Sequence, residues 1–329
     1  MKIFRHHTGL PPEARGGCVA VGNFDGVHLG HQQVIRTARE TAREKGLRFS
    51  VLTFEPHPRR HFQPDAPPFR LTPFRLKARY MEALGVEFLV AVHFDAALAG
   101  LTADAFITDV LAGGLEARHL VVGYDFVFGR DRGGSADLLM AGADSHGFTV
   151  TAVSAVAGPN GEVYSSTRAR EYLRRGEVGP AAALLGRWWE VEGRVEQGDA
   201  RGRTIGFPTA NLFLDEQLRP AMGVYAVRAG VDRGEETVWY DGVANFGKRP
   251  TIGTAHSSLE VHLFGFDADI YGEHLRVQLI DFLRGEVKFD GLDALKAQIS
   301  KDCARARAVL ARRHEEGLDP SAIQSEIFL

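Results

Sequence analysis

Two histidines, His28 and His31, close the stretch Val21-Gly22-Asn23-Phe24-Asp25-Gly26-Val27-His28-Leu29-Gly30-His31-Gln32. An apolar run from Cys18 to Val21 precedes them and ends in a glycine-rich turn. An amphipathic helical pattern follows. Backbone N–H groups at the mouth of a helix, the positive end of its dipole and two imidazoles together suit a polyphosphate. A His pair at i, i+3 also suits a metal or a plain helix surface. A metal needs a further ligand, and neither a nearby cysteine nor a His-Glu-x-x-His motif supplies one. The strand and turn ahead of the pair favour the phosphate.

Further along, Val121-Val122-Gly123-Tyr124-Asp125-Phe126-Val127-Phe128-Gly129-Arg130 also follows a strand-like run. Tyr124, Phe126 and Phe128 alternate, which either lines a pocket for a flat heteroaromatic ligand or fills the core. Ser165-Ser166-Thr167-Arg168 opens a helix. One hydroxyl there suffices for a cap, and the others with Arg168 can bind phosphate. Phe54-Glu55-Pro56-His57-Pro58-Arg59 reads as a rigid turn able to line the same site.

The second half carries a separate set. Gly198-Asp199-Ala200-Arg201-Gly202-Arg203-Thr204-Ile205-Gly206-Phe207-Pro208-Thr209-Ala210-Asn211 is glycine-rich and basic, so its backbone can approach phosphates. Thr209 and Asn211 alternate, which places a hydroxyl and an amide oxygen on one face if the segment is extended. Both are hard ligands suited to Mg²⁺ with ATP oxygens completing the shell. In Leu259-Glu260-Val261-His262-Leu263 the apolar residues point one way and Glu260 and His262 the other. Glu260 is either a general base for a hydroxyl attacking a γ-phosphate or part of a solvated strand face. Gly242 to Arg249 has Walker A spacing, but Arg249 replaces the metal-binding hydroxyl and Pro250 is ill placed to continue a helix. A P-loop is therefore rejected.

These residues need a frame. Strand-like runs at Cys18–Val21, Phe49–Phe54, Phe88–Val92, His119–Val122 and Phe148–Val153 alternate with helical patterns at 32–45, 77–84, 103–111 and 135–145. That alternation predicts an α/β unit with a doubly wound parallel sheet, whose ligands bind at the carboxyl ends of the strands. From Trp189 to Leu283 the pattern becomes strands and glycine turns: 190–195, 224–229, 237–245, 258–264 and 275–283. It predicts a small antiparallel β-barrel. A last helix starts near Leu292, with Leu292, Leu295, Ile299, Cys303 and Leu310 as its apolar stripe. The division falls between Gly176 and Arg187, giving domains over 1–183 and 184–329.

The 329 residues suffice for two cores, and a net charge of -3 makes no case for nucleic acid. Two cysteines, Cys18 and Cys303, both in apolar patterns, argue against a disulfide framework or a cysteine-built zinc site. No signal-peptide stretch opens the chain and no apolar run is long enough to span a bilayer, so a cytoplasmic protein without membrane contact is expected. No oligomeric state is specified.

In this order the motifs closely resemble those of the bacterial bifunctional riboflavin kinase/FMN adenylyltransferase (FAD synthetase) family. They are Gly22–His31, Phe54–Pro58, Asp125–Gly129, Ser165–Arg168, Gly206–Asn211, Gly223–Tyr225, Asn245–Thr251 and Glu260–His262. The resemblance implies a Rossmann-like nucleotidyltransferase domain followed by a riboflavin kinase barrel, with riboflavin, FMN and ATP as small-molecule substrates and Mg²⁺ accompanying ATP. It implies charge stabilisation on ATP by His28 and His31. Nucleotide contacts are implied for Gly22, Asn23, Phe24, Asp25, Gly30 and Ser165 to Arg168, and in the barrel for Gly202, Gly206, Thr209 and Asn211. Asp125, Phe126, Phe128 and Arg284 would meet flavin, Thr209 and Asn211 would hold Mg²⁺–ATP, and Glu260 would be the base. The chain departs from the family pattern at Tyr164, Ala169, Gly265 and Gly285.

Overall fold

A computed structural model describes residues 1–198, 205–249 and 256–315. The chain divides into two units: Met1–Pro67 with Phe74–Ser165, and Pro68–Pro73 with the chain from Ser166 onward.

In the first unit, β1 (Lys2–Phe4), β2 (Cys18–Val21), β3 (Phe49–Glu55), β4 (Phe88–His93), β5 (His119–Gly123) and β8 (Thr149–Val153) form one parallel sheet. A two-residue hairpin, β6 (Val127–Phe128) with β7 (Gly134–Ser135), stands apart from it. The sheet order is β1-β4-β3-β2-β5-β8. Every residue of β2 is buried, as is expected of a parallel strand covered on both faces. From β2 the chain winds through β3 and β4 to one side, then through β5 and β8 to the other. The winding reverses between β2 and β5, and a ligand crevice opens at the carboxyl ends of such a pair.

Helix α1 (Leu29–Lys45) follows β2 and buries Val34, Ile35, Ala38 and Ala42 along one face. Gly46 ends it at φ 64°, a left-handed position where glycine carries no Cβ penalty. Further helices are α2 (Pro58–Phe62), α3 (Phe74–Ala83), α4 (Ala96–Gly100), α5 (Ala103–Ala105) and α6 (Ala136–Gly142). Two expectations need correcting. The helix expected over 103–111 is α-helical only to Ala105 and continues as a π-helix, Phe106–Gly114. Ser135 lies ahead of α6 as its N-cap, accepting from Leu138 N. Cys18 is enclosed in the sheet, and burial pushes its thiol up to about 12, so it is inert packing.

The second unit holds α7 (Ser166–Arg174), α8 (Val178–Leu185) and six antiparallel strands, β9 (Glu190–Arg194), β10 (Ala210–Phe213), β11 (Gly223–Val231), β12 (Tyr240–Arg249), β13 (His256–Leu263) and β14 (His274–Arg284). Their order is β10-β13-β12-β11-β14-β9, and a bridge from Glu196 to Asn211 joins the two ends into a barrel. Leu212, Leu259, Val261, Ala244, Phe246, Tyr225 and Val227 are buried and share one face by register. The Walker-like run Gly242–Arg249 lies within β12, which removes it as a phosphate loop.

The last helix, α9 (Leu292–Glu315), begins where the sequence placed it. Its buried face is Asp302, Cys303, Ala306 and Leu310, whereas Leu292 is 66% exposed. Asp302 is buried because Arg284 grips it: Nε lies 3.0 Å from Oδ1 and Nη2 lies 2.7 Å from Oδ2. With this fork, Val224, Val243, Ile280 and Leu283 of the strands pack against Cys303, Ala306 and Leu310. The segment Pro68–Pro73, between α2 and α3, belongs to this unit as well. Trp189 Nε1 donates to Leu71 O at 2.9 Å, and Arg70 pairs with Glu216 at 3.3 Å.

Candidate active sites

Val21 and Gly123 end neighbouring strands at the switch point, so the His28 turn and the Asp125 loop leave the sheet side by side. The turn is tightly folded. Phe24 and Val27 have φ of 49° and 41°, and Gly26 has 87°. Positive φ is costly for Phe and more so for branched Val, so neighbours must hold it. Gln32 Nε2 donates to Val27 O at 2.9 Å. Phe24 is 2% exposed, with its ring edge-on to His31 at 5.4 Å. It also caps Gly22, where a Cβ would meet that ring at 3.0 Å. Phe24 therefore supports the site from below. Asp25 is buried at 2%, while the Asn23 side chain is exposed.

His28 caps α1, its Nδ1 accepting from His31 N at 3.3 Å. An accepting Nδ1 leaves the proton on Nε2, which becomes a donor for an incoming ligand. The two imidazoles stack with centroids 3.6 Å apart and planes 23° apart. Paired rings at the N-terminus of a long helix thus present directed donors on top of the helix dipole. Gly30 lets the rings and backbone close up. A Cβ there would lie 3.1 Å from the His28 ring and 3.5 Å from Tyr164 O. Tyr164 thereby brings the neighbouring Ser165 to this turn. Ser165 ends the first unit, whereas Ser166, Thr167 and Arg168 open α7 of the second. Within that unit Arg168 pairs with Glu171 at 2.7 Å.

On the other side of the crevice, Phe126 and Phe128 stack at 5.4 Å and 19°, and Phe128 continues to Phe106 at 5.3 Å. Tyr124 is 54% exposed and Asp125 is exposed, so the alternating aromatics do not share one degree of burial. Gly129 at φ 72° lies where a Cβ would come within 2.7 Å of Ala103 N, which sets the end of this loop. His57 is the N-cap of α2, accepting from Arg59 N at 3.1 Å, the structural role read for that turn.

In the barrel, register builds the site. Asn211 of β10 stands opposite Glu260 of β13, and Glu260 stands opposite Asn245 of β12. Directly opposed residues lie about 4.5–5.5 Å apart at Cα and share a face. Asn211 is buried at 4%, Glu260 and Asn245 half-buried. Thr209 precedes β10 on the same alternation, and Asn211 Nδ2 is 3.5 Å from Thr209 O. His262 donates Nδ1–H to Pro208 O at 2.8 Å, fixing the segment that carries Thr209. Gly206, at φ 90°, is exposed with open space where a Cβ would be. Gly202 lies outside the described residues. Arg284, expected at flavin, has its guanidinium on Asp302 and Gly285 O. Asn245 was visible only as the first letter of a motif; register shows it beside Glu260. Of the departures from the family pattern, Gly265 sits at φ 67°, where glycine is at ease.

Gly198 presses on this row, since a Cβ at Gly198 would overlap the Asn211 side-chain amide. Gly198→Ala is expected to displace the Asn211 side chain and lower the melting temperature, since forcing a carbon into a packed place costs about 1–3 kcal/mol. Thermal unfolding of the variant measures it; an unchanged melting temperature would show that Asn211 yields without consequence.

A histidine pair at a switch-point helix and a carboxylate set between two amides on a separate barrel define the class, a nucleotidyltransferase-type domain joined to a kinase-type barrel. The FAD synthetase model matches residues 10–168 and the riboflavin kinase model residues 185–310. The bifunctional riboflavin kinase/FMN adenylyltransferase of Escherichia coli K12 is 42% identical over 93% of this chain and 97% of its own. That of Bacillus subtilis is 39% identical over 90% and 93%. A crystal structure from Streptococcus pneumoniae, described as a macrolide-efflux protein, superposes with TM-score 0.78 at 35% identity, over 91% of this chain and 96% of that one. Among the described residues no helix is long and apolar enough to cross a membrane. The chain belongs to the bifunctional riboflavin kinase/FMN adenylyltransferase family.

Proposed function

We propose that this chain makes FMN and then FAD, with riboflavin kinase activity in residues 184–329 and FMN adenylyltransferase activity in residues 1–183. The observation that carries the first activity is the row Asn211–Glu260–Asn245 across three strands. In it Glu260 takes the proton of the ribityl 5′-hydroxyl as that oxygen attacks the γ-phosphorus of ATP and ADP departs. The donor set fits Mg²⁺: Thr209 and Asn211 offer neutral hard oxygens. Among the described residues no cluster of three His, Cys, Asp or Glu competes for a metal. So few protein ligands suit an ion that arrives on ATP and keeps its waters and phosphates. Its chemistry there is charge neutralisation on the transferring phosphate.

In the first unit a phosphate oxygen of FMN attacks the α-phosphorus of ATP and pyrophosphate leaves. His28 and His31 donate to the phosphates where charge builds, together with the α1 N-terminus. Gly22 and Gly30 let the backbone close in, and Ser165 adds a hydroxyl contact to the nucleotide. The Asp125 loop with Phe126 and Phe128 supplies a flat apolar wall for the flavin. Arg284 acts in this reading through Asp302, holding α9 on the barrel. We place the enzyme in the cytoplasm, which agrees with a chain of two cysteines, both buried and outside any disulfide.

A chromatographic time course with riboflavin, ATP and Mg²⁺ tests the whole reading. FMN should rise first and then convert to FAD. FMN without FAD would remove the adenylyltransferase assignment, and no product from folded protein would remove both.

A further inference from the structure

Lys77 belongs to no motif, yet it is among the most enclosed residues of the protein, with a side chain 0% exposed. Its Nζ lies 2.9 Å from Asn23 O, 3.1 Å from Glu55 Oε1 and 3.4 Å from Thr53 Oγ1. Thr53 Oγ1 itself donates to Asn23 O at 3.2 Å. Two donors from α3 and β3 therefore converge on one carbonyl of the histidine turn. All of these residues lie in the first unit.

Burying an ammonium is costly, and the Glu55 carboxylate meets that cost only in part. A methionine would fill the same space without desolvating a charge. What Lys77 adds is a cation with directed donors directly beneath Asn23. The next residue, Phe24, sits at φ 49° and Val27 at 41°, conformations held only when the surroundings over-determine them. Gln32 grips the far end of the turn through Val27 O, and Lys77 with Thr53 grips the near end. Directly after the clamp at Val27 the chain enters α1, whose N-terminus carries the His28 and His31 rings.

We infer that Lys77 is a positioning residue for adenylyl transfer, fixing the histidine turn through the Asn23 carbonyl and tying it to Glu55 at the end of β3. The inference rests on the adenylyltransferase reading of the first unit. Its action is through the turn, so it should appear in the chemical step more than in ATP binding.

The test compares the parent with Lys77→Met, Lys77→Arg and Thr53→Val. For each, kcat and KM for ATP are measured in FMN adenylylation, together with thermal unfolding and riboflavin phosphorylation by the barrel. Lys77→Met should lower kcat of adenylylation about 10²-fold while KM for ATP moves far less, the cost of misplacing catalytic groups by about an ångström. Riboflavin phosphorylation should be unchanged. Lys77→Arg, which keeps the charge and donors, should recover part of the loss, and Thr53→Val should lose several-fold in kcat. A folded Lys77→Met with parental kcat overturns the inference. So does equal failure of Met and Arg with Thr53→Val at the parental rate, since Lys77 would then be packing alone. Should Lys77→Met not fold, Thr53→Val decides by the same split. A parent that forms FMN but no FAD defeats the underlying reading before any variant is compared.

Discussion

Glu260→Ala is expected to abolish riboflavin phosphorylation while FMN added directly is still converted to FAD. Removing a positioned general base typically costs about 10²–10⁴-fold. Within the barrel row its two cross-strand neighbours would not replace it. The residues opposite Glu260 by register are Asn211 and Asn245, amides that cannot accept a proton at neutral pH. His262 shares the strand face, and its Nδ1–H bond to Pro208 O holds the ring at its own position two residues along β13. Leu259 and Val261, on either side in sequence, face the barrel interior and are at most 1% exposed, so the backbone should not respond to the substitution. Glu260→Gln should behave like Ala in rate, because the amide keeps the shape and loses the base. Separate assays with riboflavin and with FMN measure the two steps. Loss of both activities in a folded variant would defeat the division of labour between the units, and a Gln variant at full rate would show that Glu260 only lines the site.

The parts of this architecture legible in the sequence are those whose signal is local. β2, β3 and β5 are apolar runs ended by turn residues, and α1 carries its stripe and its glycine stop within one window. The histidine turn was legible as a strand-to-helix turn, because a glycine-rich run between an apolar strand and an amphipathic helix marks one. What stayed hidden depends on partners far along the chain. Lys77 opens a helical pattern where a lysine reads as solvent-facing, and its partners are 22, 24 and 54 residues away. Asp302 interrupts the apolar stripe of α9 for the sake of Arg284, which periodicity cannot foresee. Leu292 shows the converse, an apolar residue in the right phase but beyond the end of the surface that α9 covers. β10 was read only as an extended loop, since four residues after a proline give little alternation to detect. Its register with β13 then turns two separate motifs, Thr209-Ala210-Asn211 and Glu260-Val261-His262, into one site. β1 went unread for a similar reason: three residues on a sheet edge, mostly exposed, carry no period.

Replacing both His28 and His31 by alanine should stop FAD formation while FMN accumulates to the level set by riboflavin. Single preorganised donors to a developing negative charge are worth about 10²–10³-fold, so the pair should cost at least about 10³-fold. The stacked geometry argues that the two act together. Each ring limits the other's rotation at 3.6 Å, and Phe24 holds His31 from the edge. The singles should therefore be non-additive, with either one disordering its partner. His28→Ala carries an extra structural loss, because His28 Nδ1 caps α1 by accepting from His31 N. His28→Asn separates the two roles: an amide oxygen caps a helix well, so stability should return while the rate stays low. The comparison of His28→Ala with His28→Asn, by melting temperature and by FAD formation from FMN, is thus informative on its own. Recovery of both together would mean that the histidine serves the helix and not the phosphate. Recovery of stability alone would place the imidazole on the reaction path, at the switch point that the sheet provides.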